Sequence, residues 1–173
     1  MIYNHDSEAA LPTDPIRDEH RKLMPHLQHV EDAAIRVTSW DLDRAGRALP
    51  RIVGFLRDEL VPHAGEEERV LYPAIDRLQG AATTATMTVD HVVIGERIEA
   101  LQANVDRALG DWANSELVAD LSRQLAAIAA IVLLHFRKEE EVLLPILDAG
   151  LTSEQGRELF EGMGHGDHDH ENV

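Results

Sequence analysis

The chain has 173 residues and contains no cysteine. This absence excludes disulfide bonds, thiolate zinc sites, iron–sulfur clusters and cysteine nucleophiles. Any metal ion must therefore be held by histidine and carboxylate side chains. The ten histidines and 32 acidic residues offer such ligands in quantity.

Positive charge is also scarce, because 16 Lys and Arg residues against 32 Asp and Glu residues give a formal net charge of −16. No basic run offsets the repulsion from phosphate groups, so neither nucleic acid nor an anionic membrane is an expected partner. The longest apolar run, Leu125 to Leu134, is far short of the roughly 20 residues that cross a bilayer. The first residues lack the basic and apolar regions of a signal peptide. We therefore expect a cytoplasmic protein.

Aromatic residues make up only 4% of the chain, whereas hydrophobic residues make up 44%. Ala, Leu, Glu and Arg are plentiful, which favours helix, and the length suits one compact domain. Four stretches carry apolar residues at alternating steps of three and four, as in packed helices. We predict an all-α, up-down-up-down four-helix bundle over residues 14–148, after a flexible segment, residues 1–13. A short C-terminal helix within residues 149–163 and a disordered His-rich tail, residues 164–173, should follow.

One segment of the chain occurs twice, about 72 residues apart. The first copy begins at His63 and the second at His135, and both fit His-x-x-x-Glu-Glu-x-x-Leu-x-Pro. Residues four apart on a helix lie on one face. Each copy can therefore point two ligands at one place, His63 with Glu67 and His135 with Glu139.

Each predicted helix carries one histidine on its apolar face. These residues are His20, His63, His91 and His135. A lone histidine there is usually a hydrogen-bonded core residue, but four in four helices indicate a shared site. In an antiparallel arrangement all four reach one level, since the helix arms differ by only roughly 3 to 5 Å. Glu67 and Glu139 lie one turn away, whereas His26 and His29 lie off this face and are predicted on the surface.

A layer of buried imidazoles and carboxylates would be destabilising without metal, because each uncompensated buried ion costs several kcal/mol. With two histidines per metal and both glutamates bridging, each of two metals has four protein ligands. A bridging oxo or hydroxo group adds a fifth, and one position stays open for a small molecule. This ligand set favours iron or manganese and tolerates zinc.

The pattern resembles that of hemerythrin-like proteins, which carry an HHE cation-binding domain. The resemblance covers roughly residues 14–148 and includes both Glu-x-x-Leu-x-Pro endings. Its matching residues are His20, His63, Glu67, His91, His135 and Glu139. It implies a four-helix bundle around a non-haem di-iron centre, bridged by two carboxylates and an oxygen, that binds dioxygen or related small molecules reversibly. Manganese or zinc is a less favoured occupant than two iron ions.

One position departs from the oxygen-carrying hemerythrins, which have a further histidine four residues after the one on the third helix. Gly95 stands there, so the second metal is expected to be more open. Glu96, Glu66 and Tyr72 are the candidates for this position, although Glu96 is rotated about 140° from His91. Relatives with a reduced ligand set include iron- and oxygen-sensing domains and proteins that handle peroxide or nitric oxide.

Charged residues adjoin the predicted ligands. Glu19 and Asp90 each precede a ligand histidine, so they point about 100° away and are interpreted as charges near helix N-termini, not ligands. Glu68 and Glu140 are either partners that orient imidazoles or solvated charges.

Three functions fit this pattern. The preferred one is binding or sensing of O2, NO or peroxide at an open coordination position, by a monomer or weak homodimer. The second is a catalase- or peroxidase-like enzyme that consumes peroxide at the same centre. The third is iron storage or delivery. A ferritin-like oxygenase is less favoured, because that class uses Glu-x-x-His pairs.

Overall fold

The computed structural model describes residues 10–80 and 82–161. All regular structure within these ranges is helical, which confirms the predicted all-α class. The helices are α1 (Asp14–Arg36), α2 (residues 42–79), α3 (Ala85–Gly110), α4 (Ser115–Gly150) and α5 (Ser153–Phe160). A single 3-10 turn, Val37–Ser39, follows α1. The tail predicted to be disordered lies outside the described residues.

Local side-chain signals set the ends of the helices. Asp41 accepts a hydrogen bond from a backbone N–H in the first turn of α2, and Asn114 does the same for α4. Thr152 and Gln155 form a reciprocal capping box at α5. Helix α2 ends at Gln79 and is capped by Gly80, whose φ of 104° is a conformation that glycine adopts without strain.

Two apolar clusters hold the helices together. The larger one joins all four long helices, and its fully buried members include Leu27, Leu49, Leu56, Leu101, Leu121 and Leu125. The smaller one lies where α2, α4 and α5 meet, around Leu71, Ile75, Leu144 and Phe160.

Early residues of α1 contact late residues of α4, as in the hydrogen bond from Thr13 to Asp148. The Ser122 hydroxyl, early in α4, donates to a carbonyl late in α1. Helices α1 and α4 are therefore antiparallel.

Helices α2 and α4 contain wider, π-helical turns. These turns are Leu56–Leu60, Glu67–Leu71 and Glu139–Leu143. A proline follows each turn by two residues: Pro62, Pro73 and Pro145. Proline lacks an N–H and clashes with the carbonyl four residues earlier, so a wider preceding turn relieves the conflict. Pro25 and Pro50 lie in ordinary helix, so proline alone does not produce such a turn.

Within the described residues, α4 is the one helix long and apolar enough to cross a membrane by length and composition. A helix that contributes one face to the core of a bundle can meet the same test, and 33% of the apolar window of α4 is buried. Helix α4 packs against α1 and α3 and contributes Leu121, Leu125, Ile128 and Val132 to the core. Nothing else in the described part of the chain indicates a membrane protein.

Candidate metal centre

Four histidines from four helices meet in one buried layer. They are His20 on α1, His63 on α2, His91 on α3 and His135 on α4. Their Nε2 atoms face one another or the glutamates between them. Nε2 of His91 lies 2.9 Å from Nε2 of His135, and Nε2 of His63 lies 3.0 Å from Oε1 of Glu67. Residues far apart in the sequence therefore share one site.

Two glutamates lie between the imidazoles, and both Glu67 and Glu139 are 0% exposed. Glu67 reaches across the layer, with Oε1 3.4 Å from Nε2 of His20 and Oε2 3.2 Å from Nε2 of His91. Glu139 does the same, with Oε2 3.4 Å from Nε2 of His20 and Oε1 3.5 Å from Nε2 of His135. Each carboxylate thus contacts histidines from both halves of the chain, as a bridging ligand must.

The layer fits two adjacent metal ions. The triad of His20, His63 and Glu67 and the triad of Glu67, His91 and His135 each offer ligand atoms within 4.8 Å of one another. Nε2 of His63 and the Oε2 atoms of Glu67 and Glu139 are buried and make no well-oriented hydrogen bond, although Nε2 of His63 lies 3.0 Å from Oε1 of Glu67. Such atoms are costly unless a cation satisfies them. Imidazole and carboxylate together suit iron or manganese, so the donor chemistry agrees with the geometry.

The outward nitrogen of every imidazole is paired with a second carboxylate. The Nδ1 contacts are His20 with Glu140 at 2.8 Å, His63 with Glu19 at 3.1 Å, His91 with Glu68 at 2.9 Å and His135 with Asp90 at 3.2 Å. A carboxylate that accepts from Nδ1–H fixes the tautomer and leaves the Nε2 lone pair for a metal. All four histidines therefore have the orientation of ligands.

Sequence reasoning left open whether Glu68 and Glu140 orient imidazoles, and these contacts favour that role. The same role was missed for Glu19 and Asp90, which were interpreted as charges near helix N-termini. The signal lay in the repeat, because Glu19 precedes one histidine and Asp90 precedes its counterpart. Each carboxylate contacts a histidine on a different helix from its own: Glu19 contacts His63, and Asp90 contacts the corresponding His135.

Two cationic side chains form ion pairs with carboxylates that contact the Nδ1 atoms. Arg17 forms ion pairs with Glu140 and, at 3.0 Å, with Asp148. The His20 hydrogen bond lowers the pKa of Glu140 despite partial burial, and Arg17 lowers it further. Lys138 contacts Asp90, and although burial opposes it, this cation helps to lower the Asp90 pKa. Both carboxylates are therefore held ionised.

The inner groups perturb one another strongly. Burial alone would lower the pKa values of His63 and His135, but the neighbouring carboxylates outweigh it and raise both to about 10. Burial likewise opposes ionisation of Glu67, yet the imidazoles, His63 first, hold its pKa well below the usual range. Burial and the Glu67 charge raise the pKa of Glu139. Without metal, the neighbouring carboxylates therefore favour the protonated forms of His63 and His135, and a bound metal would displace those protons.

Of the three candidates for the position left by Gly95, Tyr72 reaches the layer. Its hydroxyl donates to Oε1 of Glu139 at 2.8 Å and lies 3.2 Å from Nε2 of His91. The π-helical turn places it there, since the Tyr72 N–H bonds to the carbonyl of Glu67, five residues earlier. Glu96 is exposed on α3. In the second copy the residue corresponding to Tyr72 is Leu144, so the two halves of the site differ chemically.

A cavity of about 260 Å³ opens beside the layer, between α2 and α3. Its apolar lining includes Leu60, Ile94, Val132 and Phe136, and it reaches His63, Glu67, His91 and His135. Gly95 also lines it, and a Cβ atom added there would meet no atom within 4 Å. The space that a further histidine would fill therefore forms part of this cavity.

The fold and the site define a helical protein with a histidine–carboxylate metal centre. The family model of the hemerythrin HHE cation binding domain matches residues 11–147. The chain therefore belongs to the hemerythrin HHE cation-binding family, and the predicted resemblance is confirmed. The searches of curated proteins and of solved structures found no match. Family and geometry together indicate a metal-binding protein, with iron as the expected metal.

Proposed function

We propose that the protein is a non-haem di-iron protein that binds or senses O2, NO or peroxide at an open coordination position. The observation that carries this proposal is the pair of buried, bridging-type glutamates between four inward Nε2 atoms. The proposed ligands are His20 and His63 for one ion, His91 and His135 for the other, and Glu67 and Glu139 as bridges. We also infer that the four long helices run up-down-up-down around them. When bound, iron would supply Lewis acidity and one-electron chemistry.

The protein's own contribution is orientation, exclusion of water and hydrogen bonding. The carboxylates behind the imidazoles hold the Nε2 lone pairs inward. The largely apolar cavity favours small neutral molecules over water and anions, because its walls offer them few polar partners. Tyr72 provides the one hydroxyl found close to both His91 and Glu139 in the described site. It can donate a hydrogen bond or bind the second metal directly.

Anaerobic reconstitution tests the proposal. The purified chain is loaded with ferrous iron, its metal content is measured, and spectra are recorded under argon, air, NO and peroxide. We expect about two iron ions per chain, from the two ligand triads, and absorption bands that change with the added gas or peroxide. Colourless protein that retains a single zinc ion would contradict the proposal. Releasable iron without a spectral response would instead favour storage or delivery.

A catalase-like activity is the second candidate, and the Tyr72 hydroxyl favours it. A proton donor beside the open position could assist cleavage of a peroxide O–O bond. Peroxide consumption with O2 release would support this candidate if His63→Ala or Glu139→Ala abolishes it. Peroxide binding without turnover would leave the binding or sensing function as the better description.

A further inference from the structure

A second cavity, of about 470 Å³, lies between α1 and α2. It shares no lining residue with the cavity beside the metal layer. Its principal lining residues are His26, Arg36, Trp40, Arg44, Arg51 and Phe55. The proposed metal chemistry uses none of these side chains.

The charge of this cavity contrasts with that of the chain. Arg36, Arg44 and Arg51 line it together with two histidines, and the acidic residues of the lining are Asp32 and Glu59. All three arginines are exposed, and none forms an ion pair with a residue that the structure describes. On a protein with a net charge of −16, three arginines against two acidic residues give this cavity a small excess of positive charge, and no ion pair within the described residues competes with an anion for the guanidinium groups.

The cavity also presents flat ring surfaces. The exposed His26 ring stacks on Phe55, with ring centroids 4.9 Å apart and planes 20° apart. Towards the other end, the Arg44 guanidinium lies 4.9 Å above the centre of the Trp40 ring. Stacked rings and planar guanidinium groups are surfaces on which an aromatic ligand can stack.

We propose that this cavity binds a mononucleotide-like molecule, a planar aromatic ring system that carries phosphate. Arginine binds phosphate through paired, charge-assisted hydrogen bonds, while the rings pack against the base. The volume lies within the range of roughly 300–1,000 Å³ typical of small-molecule sites. A nucleic-acid strand fits less well, because the acidic surface beyond the cavity repels further phosphates. The site is independent of the metal function proposed above.

Calorimetric titration of the iron-loaded full chain tests the proposal. FMN and AMP are the probes, and riboflavin, adenosine and inorganic phosphate are their matched fragments. We expect at least one of the nucleotides to bind, and each fragment to bind at least about tenfold more weakly, because a charge-assisted or stacking contact is lost. The ratio of FMN to AMP affinity identifies the preferred ring.

Paired variants locate the binding. Arg36→Ala with Arg51→Ala should weaken nucleotide binding at least about tenfold. Arg47→Ala with Arg97→Ala removes the same charge from exposed positions outside the cavity and should leave affinity unchanged. The proposal is overturned if neither nucleotide binds, if both double variants bind alike, or if phosphate or a single-stranded oligonucleotide binds as tightly as the nucleotide. Iron content and spectra, measured in parallel, report on the metal function separately.

Discussion

Each imidazole of the metal layer is held from behind by a carboxylate, and Glu140 offers the clearest test of that support. It accepts from Nδ1 of His20 at 2.8 Å. We expect Glu140→Gln to lower iron affinity by about 10- to 100-fold, because loss of such a partner loosens ring orientation. Competition with a chromogenic chelator measures this. Glu141→Gln is the control, since Glu141 is exposed and pairs with Arg137, and equal losses in both variants would contradict the prediction.

Tyr72 can be tested by removing one oxygen atom. We expect Tyr72→Phe to retain about two iron ions, because the proposed imidazole and glutamate ligands in the two triads remain. If Tyr72 binds iron, the ferric wild type should show the visible absorption of a phenolate–iron bond, and the ferric variant should lack it. The hydroxyl lies 3.3 Å from Nε2 of His135, within reach of a metal bound there. Absorption spectra of the ferric wild type and variant decide the point. Identical spectra would show that Tyr72 is not a ligand.

Gly95 lines the cavity beside the metal layer, where an added side chain would find open space. We expect Gly95→Leu to slow NO binding to the ferrous protein several-fold, because the new side chain extends into the space beside the layer. Stopped-flow absorbance measures the rate. Gly46→Leu is the matched control, since a Cβ at Gly46 also meets no atom within 4 Å but Gly46 lies far from this cavity. Both changes should raise stability by about 0.5–1 kcal/mol by removing a helical glycine. Equal rates in the two variants would show that NO does not reach the metal layer through this cavity.

The convergence of the six inner residues could be predicted, because a four-residue step places each His/Glu pair on one helix face and the helix lengths bring the four histidines to one level. The carboxylates behind the imidazoles could not be assigned. Side chains such as Glu19 and Asp90 contact histidines on neighbouring helices, and such contacts depend on how each helix is rotated about its axis. Tyr72 shows the same limit. Five residues on a regular helix turn it about 140° from Glu67, whereas the π-helical turn returns it to the same face.

At the scale of helices, the π-helical turns beginning at Glu67 and Glu139 set the register of the site. We expect Pro73→Ala to let α2 return towards regular helix, because the ring clash disappears and an N–H is restored. Tyr72 would then rotate away from the layer. The ferric spectrum should lose its phenolate absorption, as in Tyr72→Phe, while the metal-free protein keeps or gains thermal stability.

Pro50→Ala provides the control, because Pro50 lies in the same helix without a wide turn. Its spectrum should match that of the wild type. Circular dichroism melts and ferric absorption spectra of the two variants are sufficient. An unchanged spectrum in Pro73→Ala would show that proline does not maintain the turn. The sequence predicts the helices by their apolar periodicity, but not these turns, because Pro25 and Pro50 show that proline alone does not specify them.

At the scale of the whole molecule, the metal layer lies between two apolar clusters. The all-α class was predictable because the apolar pattern persists over four long helices. The larger cluster contains side chains as fully buried as Leu27 and Leu121, and it extends to the turns near Trp40 and Trp112. The layer itself contains two carboxylates at 0% exposure. Removal of metal should therefore weaken one level of the bundle and leave the rest packed.

We accordingly expect the metal-free chain to remain helical but to melt at a lower temperature than the iron-loaded chain. Ligand binding to the folded state alone contributes about 4 kcal/mol when free metal exceeds its Kd by roughly 1,000-fold. Circular dichroism melts with and without chelator measure the shift. The double variant His63→Ala and Glu139→Ala should show none, because it lacks a histidine proposed for one ion and a glutamate proposed to bridge both. Equal melting temperatures for loaded and metal-free wild type, or loss of all helix on chelation, would contradict a centre built into a self-sufficient bundle.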